Sequence, residues 1–268
     1  MPNLSFLQPL VRNEVMLSVT ADLTYASVPG ESEQSQPVFA IPTRVLVELP
    51  SYHIIAFGHE ARPVEHAGVK NARVIEPCTS REIFDQTATT VYLRAVMQLL
   101  LGRAFLLKPK IYLSQASQVT PFMQELWQVC LFQAGAREVT MVHPLLATAA
   151  GAGLPVSDSH GYALAWWGED RLLFGLLAFG HVQHQEEFVV PATSKASEKA
   201  QLFRQSWQTF LEHLPGEFRL NLAQEGVLLN IDNAEPTLAT QLSRASEVPV
   251  TIVPRSTEVL GLQKWARL

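Results

Sequence analysis

This sequence predicts a mixed α/β protein folded as two lobes, and three observations carry that expectation. Short segments rich in apolar and β-branched residues recur along the chain, several of them apolar on both faces as buried sheet strands are. Between them lie stretches whose apolar residues return at helical spacing. The order is a block of strands, a helix, strand–helix alternation and two final strands, the pattern of helices layered on sheets.

The block of strands contains EVMLSVT (14–20), TRVLVEL (43–49) and HIIAF (53–57). A helix follows over 85–102, where Val91, Ala95 and Leu99, and beside them Tyr92, Val96 and Leu100, recur every four residues. After the strand KIYLS (110–114), the stretch AGAREVTMVHPLLATAAGAGLPV (134–156) reads as a helix end, a short strand, a His-Pro turn and a helix made almost wholly of small residues. YALAWW (162–167) and RLLFGLLAF (171–179) are the next strands. The helix KAQLFRQSWQTFLEHL then carries Phe203, Trp207, Phe210, Leu211 and Leu214 as one stripe, stopped by Pro215-Gly216. GVLLN (226–230) and VPVTIV (248–253) close the pattern. Polar connectors are expected at 31–37 and 183–199, and a boundary within Leu113–Val119 divides the chain into lobes 1–115 and 116–268. No short-period repeat is visible.

With 268 residues, 47% of them hydrophobic, the chain can bury a large core. A net charge of −5 and a pI near 5.9 supply no basic field for nucleic acid. Charged residues make up only 17%, which tilts the expectation toward a chain that buries surface against a partner or a membrane. Cys78 and Cys130 have no metal-type spacing and fit a reducing, cytoplasmic compartment. No apolar run approaches the roughly 20 residues that span a bilayer, and the N-terminus carries no signal-peptide pattern. Leu4, Phe6, Leu7, Leu10 and Val11 cluster there, as a short amphipathic anchor or a segment tucked onto the core would.

The segment from Gly135 to Gly161 resembles the centre of the MreB family of bacterial actins, where a strand, an acidic turn and a small-residue helix lead into G-A-G-L-P-V. Gly135-Ala136-Arg137-Glu138-Val139 and Gly151-Ala152-Gly153-Leu154-Pro155-Val156 match without a gap between them. AFGHEA (56–61) resembles the family's V-G-H-D-A, and IEPCTSREIFD (75–85) keeps Pro77, Ile83 and Asp85 of a second family segment. LEHLPGEFRLNLAQEGVLL and EVPVTIV resemble the helix and the strand that flank the last nucleotide loop. The resemblance implies an actin-like, ribonuclease H-like fold of two lobes, with a small subdomain inside lobe I. It also implies that most of subdomain IIB is missing, reduced to the linker 183–199.

The resemblance further implies an ATP site, and there the sequence departs from the family. Actin-type ATPases hold phosphates in Gly-Thr turns, because glycine lets backbone N–H groups come close to phosphate oxygens. In the first turn Met16 stands for the family's Asp, Ser18 for Gly and Val19 for Thr. In the second, Trp166 replaces the Asp and only Gly168 of the glycines survives, followed by the acids Glu169 and Asp170, which repel a triphosphate. The adenosine-side loop reads Asn230-Ile231-Asp232-Asn233 in place of T-G-G-G, and His143-Pro144 replaces the pair of glutamates. Loss of a single electrostatic contact in a catalytic site costs about 2.7–4 kcal/mol. Four altered turns therefore predict a pseudo-ATPase with no catalytic residues, no metal and no cofactor; ATP and Mg²⁺ enter only if the chain is a divergent nucleotide-binding filament protein of cell shape.

A strand-end His before Pro, as His143 is, is ordinarily structural. His181 and His184, with Glu186 and Glu187, have a spacing that metal sites rarely use. Trp166 and Trp167 are either a ligand-stacking pair or, as packing favours, fillers of the volume left by the nucleotide. Phe105, Leu106 and Leu107, flanked by Arg103, Lys108 and Lys110, resemble the family's membrane-dipping loop. The reading is a non-catalytic actin-like scaffold of the bacterial cytoplasm. It binds a protein partner or itself, with the inner-membrane surface as a possible site and no nucleic acid.

Overall fold

In the computed structural model, residues 13–29, 37–62, 71–102, 108–115, 119–168, 170–191, 195–232 and 234–267 are described. The chain forms two units, Met1–His143 with Ala266–Leu268, and Pro144–Trp265.

The first unit is built on strands β1 (Glu14–Val19), β2 (Leu23–Ser27), β3 (Phe39–Pro42), β7 (Lys110–Ser114) and β8 (Glu138–Val142), in the order β3-β2-β1-β7-β8. β1, β2 and β3 pair antiparallel, whereas β7 and β8 run parallel to β1 and to each other. Val15, Leu17 and Val19 alternate onto one face of β1 and enter the core with Tyr92, Leu93 and Val96 of α1 (Gln86–Leu101) and Trp127 and Leu131 of α2 (Pro121–Ala134). The ends of these helices follow from local chemistry. The Asp85 carboxylate accepts the Ala88 N–H at 2.8 Å, and the Thr120 hydroxyl accepts the Met123 N–H at 3.3 Å with Pro121 opening the helix. β4 (Val45–Glu48), β5 (His53–Phe57) and β6 (Ala72–Ile75) form a separate three-stranded sheet.

The second unit repeats the first topology. β9 (Tyr162–Trp167), β10 (Arg171–Ala178), β11 (His181–Val189), β12 (Val227–Ile231) and β13 (Val250–Val253) lie in the order β11-β10-β9-β12-β13, with the first three antiparallel and the last two parallel to β9. One face packs on α4 (Ala196–His213) and α6 (Leu238–Ser246) through Phe174, Phe203, Trp207, Phe210 and Leu242. The other holds Leu164, Trp166, Leu173 and Leu177 against Leu145 and Ala149 of α3 (Pro144–Ala152). α5 (Gly216–Glu225) precedes β12, and α7 (Ser256–Trp265) ends the unit.

The small residues of α3 are explained by α7. A Cβ on Gly151 would overlap the Thr257 carbonyl oxygen, and one on Gly261 would overlap the Ala147 carbonyl oxygen. The two helices therefore meet backbone to backbone, and Lys264 caps the end of α3 by donating to the Ala150 carbonyl at 2.8 Å.

Two expected boundaries move. The division at 115/116 falls inside the first unit, because β8 pairs with β7 (Ile111 opposite Val139) and carries α2 with it; the units part at His143 and Pro144. The connector 183–199 is mostly regular structure: its first residues extend β11 through Val189, paired with β10, and α4 begins at Ala196. Six residues, 190–195, separate the two elements.

Candidate functional site

In the first unit, the turn resembling the first phosphate loop is the β1–β2 hairpin. Thr20 closes it: its N–H and hydroxyl donate to the Leu23 carbonyl at 2.9 and 2.8 Å, and its hydroxyl oxygen accepts the Leu23 N–H at 3.1 Å. Met16 is fully buried and Ser18 nearly so, on the face opposite Val15 and Leu17. Val19 points the other way, into the α1–α2 core, so the three substituted positions do not line one surface. Two of them, Met16 and Val19, are buried core residues. His143, half-buried, follows β8, two strands from β1, and Pro144 opens α3, where a missing N–H leaves nothing unsatisfied.

In the second unit the altered positions converge. Trp166 is buried at the end of β9, and its indole N–H donates to Glu258 Oε1 at 2.9 Å. The Arg255 guanidinium lies over the indole face, 3.9 Å from the ring centroid, a cation–π arrangement. Arg255 Nη1 donates to Glu258 Oε1 at 3.2 Å and Nη2 donates to the Trp167 carbonyl. Its Nε lies 3.7 Å from Asp232 Oδ2, an ion contact too long for a hydrogen bond, and it has no other hydrogen-bond partner. The side chains of Arg255 and Glu258 are each only 2% exposed. Such a pair adds little over apolar filling, but losing one member leaves a buried charge unmatched. Asn230, at the end of β12, donates from Nδ2 to Thr148 Oγ1 on α3 at 2.9 Å while its Oδ1 is buried without a partner. Gly168 is required beside the indole, since a Cβ there would collide with the Trp166 ring.

Among the sequence candidates, the structure therefore joins Trp166, Gly168, Asn230 and Asp232 around one end of the second sheet. Arg255 and Glu258, which complete the cluster, were missed; Arg-x-x-Glu at a helix start is also what a solvated surface pair looks like. Trp166 and Trp167 cannot stack as a pair: successive strand residues face opposite ways, and Trp167 lies parallel to Phe203 in the other core. Asp170 is exposed and pairs with Arg171 at 3.3 Å. Glu169, and the candidate membrane residues Phe105, Leu106 and Leu107, lie outside the described residues. The two histidines of the 181–184 spacing do not converge. His184 pairs with Glu186 at 2.9 Å, and Glu186 is shared with His213. Among the described residues no three His, Cys, Asp or Glu side chains could hold a metal ion together.

A family model described as MreB/Mbl protein matches residues 18–186, more than half of the chain. The chain belongs to the MreB/Mbl family. Its fold agrees: the structure of MreB5 of Spiroplasma citri bound to ADP superposes with a TM-score of 0.77 at 14% identity, over 97% of both chains. The same protein bound to AMPPNP gives 0.77 at 13% over 96% of both, and the MamK double helical filament gives 0.67 at 10% over 96% of this chain and 99% of that one. Among curated protein sequences none matches the chain. At these identities the likeness concerns the actin-like fold. No helix among the described residues of this MreB/Mbl protein is long and apolar enough to cross a membrane.

Proposed function

We propose that this MreB/Mbl protein is a non-catalytic actin-like scaffold, a pseudo-ATPase that works by binding protein, either another chain or itself. One observation carries the reading: the strand-end positions that resemble the family's second phosphate turn and adenosine loop are tied together by their own side chains. Trp166, held by Glu258 and covered by Arg255, replaces an open glycine turn with a closed, hydrogen-bonded core. The residues do not suit ATP and Mg²⁺. Glu258 is already committed to two donors, Asp232 faces Arg255, and Met16 offers a metal no hard oxygen ligand. MreB5 of Spiroplasma citri is seen bound to ADP and to AMPPNP, so the competing reading is a divergent filament protein that still binds nucleotide.

A thermal-shift series with ATP and Mg²⁺ tests the proposal. A ligand at 100 times its Kd stabilises a native protein by about 2.7 kcal/mol. The proposal predicts no upward shift of the melting temperature at millimolar ATP; a saturable shift would return the chain to the nucleotide-binding reading.

A further inference from the structure

We infer that residues 4–11 form an intramolecular strap, folded back within the first unit onto the end of α1. The inference is independent of the nucleotide question. Tyr92, Val96 and Leu99 follow one another at four and three residues, along one side of α1. Tyr92 and Val96 are fully buried in the first unit's core, but Leu99 is 55% exposed. Leu100 and Leu101 beside it pack on that core and are only half-buried. The apolar stripe of α1 thus runs past the strands it covers and leaves its last turn open.

The place of that open turn says what covers it. α1 ends at Leu101 and β7 opens at Lys110, a short connection that keeps the helix end at the edge where β7 begins. β1 begins at the same edge: Glu14 stands opposite Lys110, and the Lys110 N–H donates to the Asn13 carbonyl at 2.7 Å. The chain before β1 therefore leaves beside the open turn. It is suited to cover it, since Leu4, Phe6, Leu7, Leu10 and Val11 fall within a stretch, 4–11, that carries no charge and lies outside the described residues. Continued backward, the alternation of β1 brings Val11 to the face of Val15, which shares the core with Val96. Eight extended residues reach about 26 Å, and α1 itself is about 24 Å long, so the segment spans the helix end with no further linker. A lipid surface suits it less well, because interfacial segments set Lys or Arg beside their apolar face and 4–11 has neither. The same residues cannot cover Leu99 and enter a membrane or a partner at once. Docked, the strap holds back two apolar surfaces, its own and that of α1, until something displaces it.

Disulfide trapping in the full chain, at low protein concentration, tests this. Leu7→Cys combined with Leu99→Cys should close a disulfide within one chain under mild oxidation, read as a faster-migrating monomer in non-reducing electrophoresis. Neither single variant should, because Cys78 and Cys130 are buried. Leu7→Cys combined with Phe122→Cys, an exposed position at the start of α2, should not close either. Deleting 4–11 should lower the melting temperature of the first unit by at least about 4 °C, since apolar side chains lose their cover, and should raise the binding of a dye that reports apolar surface. A Leu7–Leu99 pair that forms no disulfide, or a deletion that leaves melting and dye binding as in the wild type, overturns the inference. A disulfide that forms only between chains overturns it too and gives the open turn to a second copy. Pelleting with phosphatidylglycerol vesicles that the deletion abolishes, in a chain that forms no disulfide, overturns it and assigns the segment to lipid.

Discussion

Replacing Glu258 with alanine should unfold the second unit well before the first. In the native protein the Glu258 carboxylate accepts from both the Trp166 indole and the Arg255 guanidinium, and all three side chains are buried. Without it, the 3.7 Å contact with Asp232 is the one charged partner left to Arg255 among the described residues, and the Trp166 N–H loses its acceptor. Removing one member of a buried ion pair costs about 3–5 kcal/mol. Leaving a buried donor unsatisfied adds about 1–3 kcal/mol, though the two losses overlap. A kcal/mol is worth roughly 4 °C in a domain of this size, so the melting temperature of the unit should fall by about 12–20 °C, read by calorimetry or circular dichroism. Replacing both charges together, Arg255→Met with Glu258→Leu, should cost clearly less than Glu258→Ala alone, because no orphaned charge remains. If Glu258→Ala melts within a few degrees of the wild type, the cluster is not the packed core described, and the argument that it closes the nucleotide site fails with it.

Further outcomes follow from the same structure. Gly151→Ala and Gly261→Ala should each destabilise the second unit, since the added methyl meets backbone across the α3–α7 contact; overpacking typically costs about 1–3 kcal/mol, measured by urea titration. Cys78 and Cys130 are buried, and burial pushes the Cys130 thiol above its ordinary range, so neither should react with a thiol reagent at neutral pH until the chain is unfolded. Burial also raises Tyr92 above its ordinary 10.0. Its neutral form is favoured in the native state, so its contribution is intact below pH 10 and is lost as pH rises beyond it; Tyr92→Phe should flatten the alkaline fall in stability. Pelleting with anionic vesicles should weaken in Leu106→Ser with Leu107→Ser if that loop dips into lipid; unchanged pelleting removes it from the account.

Much of this architecture was legible because buried strands are written in their residues. β1, β4, β5, β7 to β10, β12 and β13 all fall on the apolar runs that predict them. β2, β3 and β6 were not seen: they are four or five residues long, half polar or ended by Pro42, and exist because a neighbouring strand supplies their hydrogen bonds. β11 looked like a polar linker because edge position leaves His181 and Gln183 in solvent. The common topology of the two units was invisible, since strand order repeats without any repeat of residues. At the candidate site, the departures from the family pattern that the resemblance implies at Met16, Trp166 and Asp232 were readable one position at a time. What replaced them was not: the partners of Trp166 lie 89 and 92 positions further along, brought near by α7 packing on α3 through Gly151 and Gly261.

The central claim is that this member of the MreB/Mbl family keeps the actin-like scaffold without its nucleotide chemistry. Isothermal titration of the purified full chain with ATP and Mg²⁺ tests it most directly. The account predicts heats no larger than dilution through millimolar nucleotide, in the wild type and in Glu258→Ala alike. Micromolar, saturable binding by the wild-type chain would contradict it.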